Sequence, residues 1–168
     1  MTNESKKHTS KGDNKMKKMK QLLKNQKGLT LVELLAVIVI LAIVAAIAVP
    51  AIGNILENSR YNAVKADATN VLSAAQLYFT DDSSKTSVTV TELKTNKYLE
   101  SEGSIPLTAT VTKSSPISLS GAEVTYSGTK KVTFTNATIK GINSDSRKGS
   151  GAGGYTIGAA QGETVTQP

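Results

Sequence analysis

The feature that most constrains this chain is an unbroken aliphatic run: from Leu34 to Val49 all sixteen residues are Leu, Ala, Val or Ile. Widened to Leu29, the window holds twenty-one residues, of which only Thr30 and Glu33 are polar. At about 1.5 Å of rise per residue it makes roughly 31 Å of helix, enough to cross a hydrocarbon core of about 30 Å. The run therefore specifies a membrane segment. One carboxylate, Glu33, stands near its start, and a basic stretch stands just before it.

Charge gives the orientation. Residues 1–28 hold nine Lys against Glu4 and Asp13, a balance of +7, while the rest of the chain holds eleven basic and eleven acidic residues. The whole net charge of +7 thus precedes the span. Lys and Arg flanking a span stay on the cytoplasmic side, which places residues 1–28 inside and the rest outside. The basic balance is a topology signal and a poor argument for nucleic-acid binding. Residues 1–20, Lys-rich and without apolar period, read as disordered. Met16 and Met19 stand beside Met1 as candidate starts.

Ordinary readings compete for the N-terminal part. A secretory signal peptide would have a basic front, an apolar middle and Ala46-Ile47-Ala48 as its exit, but its apolar run spans only about 7–15 residues and has no place for a carboxylate. A plain membrane anchor is the other. Thr30-Leu31-Val32-Glu33 also forms a capping box, which accounts for Glu33 without any partner and suits the helix dipole. Carboxylates inside membrane spans are nonetheless rare and usually mark function.

Gln26-Lys27-Gly28-Leu29-Thr30-Leu31-Val32-Glu33-Leu34, the aliphatic run and Pro50 together resemble the class III signal of type IV pilins and pseudopilins. The strong match covers residues 26–53, about a sixth of the chain, and a weaker similarity runs to about residue 135. In that family a membrane-embedded peptidase cuts after the glycine, on the cytoplasmic side. The resemblance implies cleavage between Gly28 and Leu29, N-methylation at Leu29 (most often Phe in the family), and recognition through Lys27, Thr30, Leu31, Val32 and Leu34. It also implies assembly through Glu33, the fifth mature residue, and a helix kink at Pro50 and Gly53. Cutting frees an ammonium at Leu29, one turn from Glu33. A carboxylate in an apolar bundle is costly unless paired, so the expected partner of Glu33 is the Leu29 amine of a neighbouring subunit.

The expected fold class is α+β: a long N-terminal helix packed on a small antiparallel β-sheet head. The expected parts are a leader at 1–28, a membrane and filament-core helix at 29–53, its amphipathic half at 54–80, and a head at 81–168. Proline either ends the first helix or lets it continue, bent, towards Asp81-Asp82. Ile52, Leu56, Ala63, Val71, Ala75 and Tyr78 form its apolar face. Residues 83–87 read as a polar loop, and Thr91–Leu99 as a short helical segment before a turn at Gly103–Pro106. Val111, then Ile117 and Leu119, Val124 and Tyr126, and Val132 and Phe134 alternate with polar residues as half-buried strands do, with a hairpin turn at Ser127–Lys130. These give one sheet of three or four strands. Residues 143–154 read as a flexible loop, Tyr155–Ile157 as an added edge strand, and the tail to Pro168 as loose.

Several function classes fall away. The chain has no cysteine, hence no disulfide frame or thiolate metal site, and its single histidine, His8, precedes the span. The disulfide loop common among pilins of Gram-negative bacteria is thus missing, which fits a Gram-positive host. The Gly149–Gly154 stretch lacks the Gly-Lys-Ser/Thr ending of a phosphate loop. Lys130, Lys131, Lys140, Arg147 and Lys148 make one basic cluster, which reads as surface solvation more readily than as a DNA site. The leading expectation is a non-enzymatic filament subunit without cofactors, a single-pass membrane protein before assembly and a surface filament after it. The resemblance implies as partners identical subunits, the prepilin peptidase, a platform protein and an assembly ATPase. A pseudopilin of a secretion or DNA-uptake machine is the alternative, and a signal-anchored or secreted surface protein a lesser one.

Overall fold

The computed structural model describes residues 30–166. The readings made on the leader, including the candidate starts and Lys27, Gly28 and Leu29, lie outside the described residues, as do Gln167 and Pro168 at the tail. The chain divides between Ala48 and Val49 into two compact units. Helix α1, Leu31–Asp81, contributes to both and continues through Pro50 rather than ending there.

In the first unit α1 is long and apolar enough to cross a membrane, and none of that apolar window is buried. Leu, Ala, Val and Ile here cover the whole circumference of the helix, so no face is left for water. An all-round apolar helix needs a solvent other than water.

The second unit is built on the rest of α1. Tyr61, Val64, Ala68, Val71, Leu72, Ala75 and Phe79 recur every three or four residues and are all buried, the spacing that puts side chains on one helical face. The small Ala68 and Ala75 alternate with larger residues. This face differs from the expected one in its upper half: Ile52, Leu56 and Ala63 are exposed. The head closes on the helix only from about Glu57 onward, so Ile52 and Leu56 have nothing to pack on, while at Ala63 it is the next residue, Val64, that the helix turns inward.

After α1 the chain forms β1 (Ser87–Thr89), α2 (Val90–Thr95), β2 (Thr110–Thr112), β3 (Ser118–Ser120), β4 (Ala122–Ser127), β5 (Lys130–Phe134), α3 (Ile139–Ser144) and β6 (Tyr155–Ile157). The α+β expectation holds, but there are two three-stranded sheets where the alternation predicts one. The first runs β1-β2-β3, antiparallel throughout, with Val88, Val111 and Leu119 in register and buried. The second runs β4-β5-β6; the β4-β5 hairpin turns at Ser127–Lys130, and β6 pairs parallel to β5. Gly121, with φ +75°, separates β3 from β4. That left-handed backbone interrupts the strand, so the two runs enter different sheets.

The short elements have local causes. Thr89 caps α2, its hydroxyl accepting from the Glu92 N–H (3.2 Å) while Glu92 accepts from the Thr89 N–H (2.8 Å), a reciprocal capping box. Ser87 belongs to β1 rather than to the loop before it. Thr138 caps α3, a helix that the sequence reading lacks, through the Gly141 N–H (3.0 Å). Asn143 and Ser144 end that helix rather than opening a flexible loop. The tail is also held: Thr166 exchanges backbone hydrogen bonds with Ser115 (3.1 and 3.2 Å), and Glu163 accepts from the Thr138 hydroxyl (2.6 Å).

Candidate functional site

Two constellations carry chemistry. The first is the start of α1. The Thr30 carbonyl accepts the first intrahelical bond, from Leu34 N–H at 3.0 Å. The Glu33 N–H donates to Thr30 Oγ1 (3.2 Å), and the Thr30 N–H donates to Glu33 Oε2 (3.4 Å). The capping box read from the sequence is therefore formed. It holds Glu33, the one carboxylate among this unit's described residues, at the positive end of a helix dipole, where negative charge is favoured. Leu31, Val32 and Leu34 surround it as exposed apolar side chains. Glu33 has no cationic partner among the described residues. Of the other site residues, Pro50 and Gly53 lie within α1.

The second constellation is a strap across α1. The segment 145–151, following α3, folds back over helix residues 57–65. Asp145 accepts from the Tyr61 hydroxyl in a short hydrogen bond, lies 3.5 Å from Lys65 Nζ, and pairs with Arg147. Lys65 Nζ also donates to the Asp145 carbonyl at 2.6 Å. Asn58 Oδ1 accepts from the Ser150 N–H (2.9 Å), and Tyr126 donates to the Gly149 carbonyl (3.1 Å). Glu57 binds the hairpin turn: Lys130 Nζ at 2.7 Å and the Ser127 hydroxyl at 2.9 Å. Lys130 reaches on to the Ser150 carbonyl at 3.2 Å. Beneath the strap, Tyr61 packs against Tyr126 and Tyr155, with ring centroids 5.2 and 5.4 Å away. The Arg147 guanidinium lies 4.6 Å from the Tyr155 ring centroid, within cation–π range.

The electrostatics follow. Burial pushes the Asp145 carboxyl up, but hydrogen bonds from Tyr61 and Arg147, with the nearby Lys65 charge, outweigh it and hold the group below its ordinary value. Burial, then the hydrogen bond to Asp145, pushes the Tyr61 phenol well above its own. The Lys130 and Ser127 hydrogen bonds lower Glu57. The segment read as a flexible loop is thus pinned by polar contacts more than eighty residues apart in sequence. No local pattern announces pairings of that range. The one available signal was Asp145 and Arg147 standing amid small residues.

The basic cluster is largely engaged inside the head. Lys130 pairs with Glu57, Lys131 with Glu123 (2.7 Å), and Arg147 with Asp145. Open clefts exist beside α1, one of about 560 Å³ lined by Asn62, Lys65, Thr69, Asn70, Ser73 and Asn143. It contains no nucleophile–base pair. Among the described residues no group of His, Cys, Asp and Glu is placed to hold a metal ion.

Residues 23–49 match the family model described as the prokaryotic N-terminal methylation motif. That span includes Lys27, Gly28, Leu29, Thr30 and Glu33, and ends where the second unit begins. No curated protein and no solved structure matches the chain.

Proposed function

We propose that this chain, which carries the N-terminal methylation motif of the type IV pilin and pseudopilin family, is a structural filament subunit cut between Gly28 and Leu29 and assembled through its apolar helix. A pilin-like protein of this kind is a building block, and no step of chemistry is asked of its head. The observation that carries the reading is Glu33. It lies within a family motif, in the first turn of a helix whose opening stretch is apolar all round, and among the described residues only its own Thr30 holds it.

Before processing, Leu29 is an amide. Afterwards it is an ammonium one turn from a carboxylate. Packed among apolar helices, each charge would carry a large desolvation cost alone, and pairing Leu29 of one subunit with Glu33 of the next offsets both. The cut would thus license assembly and set the register between neighbours. Lys27, Thr30, Leu31, Val32 and Leu34 would present the cutting site to a prepilin peptidase. Pro50 and Gly53 mark where α1 bends or loosens. A platform protein and an ATPase would drive extrusion.

Mass spectrometry of the mature protein, together with electron microscopy of sheared surface material, tests this. A terminus at Leu29 with filaments is the expected result. A terminus at Val49 or Pro50 means simple secretion, and an intact leader on the surface form means a plain anchor. Short or transient filaments in place of stable ones move the assignment to a pseudopilin.

A further inference from the structure

The second unit carries its charge unevenly. At the strap stand five cations, Arg60, Lys65, Lys130, Arg147 and Lys148, with only two carboxylates, Glu57 and Asp145, an excess of three. The six other cations of residues 49–168 are set against eight carboxylates. Both strap carboxylates are already engaged, Glu57 by Lys130 and Asp145 by Lys65 and Arg147. Arg60 and Lys148 are exposed and have no acidic partner among the described residues. Beside the strap lies an open cleft of about 300 Å³, lined by Asn58 and Asn62 of α1 and by residues 145–149, Arg147 and Lys148 included. Arg60 is two residues from both asparagines, so it stands on the opposite side of the helix. The cations thus form a collar around α1 at one level.

We infer that this collar is a docking surface for the phosphate headgroups of anionic lipids, which holds the head of an unassembled subunit against the bilayer. Its chemistry suits a lipid phosphate: Arg147 and Lys148 supply charge, and the amides of Asn58 and Asn62 supply donors beside them. Its place in the chain suits a membrane surface. Only seven residues, Pro50–Leu56, lie between the apolar run and Glu57, about 11 Å of helix. None of them is charged, and Ile52, Ile55 and Leu56 are exposed. Headgroups extend about 5–7 Å beyond the hydrocarbon, and attraction to charged ones persists for about 8 Å more at physiological salt. Together these lengths exceed the uncharged stretch. Each Lys or Arg near an anionic surface strengthens binding about fivefold, so an excess of three biases the head towards the bilayer without fixing it there. The inference rests on reading the apolar run as a membrane span.

The full chain, reconstituted in vesicles of phosphatidylcholine alone or of equal parts phosphatidylcholine and phosphatidylglycerol, tests it. The chain has no cysteine, so Thr129→Cys, in the exposed turn beside Lys130, takes a single donor dye. Time-resolved energy transfer to acceptors in the headgroups gives the ratio of docked to undocked heads. That ratio is expected to rise by about fivefold or more in the anionic vesicles and to fall back as salt is added. Arg60→Gln with Lys148→Gln removes most of the rise. Lys85→Gln with Lys97→Gln leaves it in place, because Lys85 follows the far end of α1, about 30 Å of helix beyond Arg60. An equal ratio in the two kinds of vesicle overturns the inference. So does a collar variant that docks like the unaltered chain, or an equal loss in both pairs of variants. Duplex DNA held by Arg60 and Lys148 on neutral vesicles, with no rise on anionic ones, would assign the collar to nucleic acid and overturn it as well. Flotation with phosphatidylcholine vesicles alone checks the span by itself, so its failure is distinguishable from a failure to dock.

Discussion

Asp145 shows how one side chain ties distant parts of the head together. It takes the Tyr61 hydroxyl from α1, faces Lys65 one turn further on, and pairs with Arg147, which in turn lies against Tyr155 of β6. Asp145→Asn keeps an acceptor for Tyr61 but removes the charge that Lys65 and Arg147 face. Breaking a mostly buried, charge-assisted arrangement of this kind costs about 2 kcal/mol. Thermal melts should register it as a drop on the order of 10 °C. The pH dependence has a definite sign. The folded-state carboxyl lies below its ordinary value, so its contribution is complete above the unfolded pKa of about 3.9 and fades as pH falls through the folded value. The gap between wild type and Asp145→Asn is expected to be widest at neutral pH and to close in acid. Other carboxyls, Glu57, Glu92 and Glu163 among them, are lowered too, so both proteins lose stability in acid and the difference between them is the quantity to follow. A gap that stayed constant from pH 7 to pH 3 would mean that the charge of Asp145 contributes nothing.

At the scale of elements, what the sequence disclosed was local and what it hid was long-range. The apolar run, the Thr30–Glu33 capping box, the β4-β5 hairpin and the end of α1 near Asp81 are written in spacings of a few residues, and each is found where the pattern puts it. The division into two sheets depends on Gly121 and on the pairings of β1 and β6, partners tens of residues apart. The same holds at the site: the Thr30–Glu33 box was legible, and the strap was not, because glycine and serine say nothing of what they will lie against. The apolar face of α1 was legible only in part. The expected face includes Leu56 and omits Leu72, whereas the head leaves Leu56 exposed and encloses Leu72 completely. Leu72→Ala should therefore cost the head about 3 kcal/mol, and Leu56→Ala less than about 0.5 kcal/mol. Denaturant unfolding of the two variants reads this directly; equal losses would show that the head grips α1 further upstream than Glu57. Gly53→Ala, with open space around the new methyl, should gain about 0.5–1 kcal/mol of local helix stability. Slower amide exchange over 51–56, with the head unchanged, is the matching observation.

For the molecule as a whole, the question is whether Glu33 serves its own helix or another chain. Its hydrogen bonds to Thr30 would be made in any helix starting here, and a cap of this kind is worth about 1 kcal/mol. A cap can be separated from a charge. Glutamine closes a capping box as glutamate does, so Glu33→Gln keeps the cap and removes the charge, while Thr30→Ala keeps the charge and weakens the cap. If capping is all that Glu33 does, Thr30→Ala is the more damaging change and Glu33→Gln is nearly silent. If the carboxylate answers a neighbouring subunit's Leu29 ammonium, the order reverses. Glu33→Gln is then cut to a Leu29 terminus in normal yield yet enters filaments at a small fraction of the wild-type level, and Glu33→Ala does the same. Thr30→Ala is cut and incorporated. Measuring the terminus by mass spectrometry and incorporation from sheared material places each variant on both axes. Because the head lies outside the changed residues, its thermal unfolding should be the same in all three. That constancy separates a failure to assemble from a failure to fold. Normal incorporation of Glu33→Gln would remove the ion pair from the assembly mechanism and leave the apolar surface of α1 to set the register between subunits unaided.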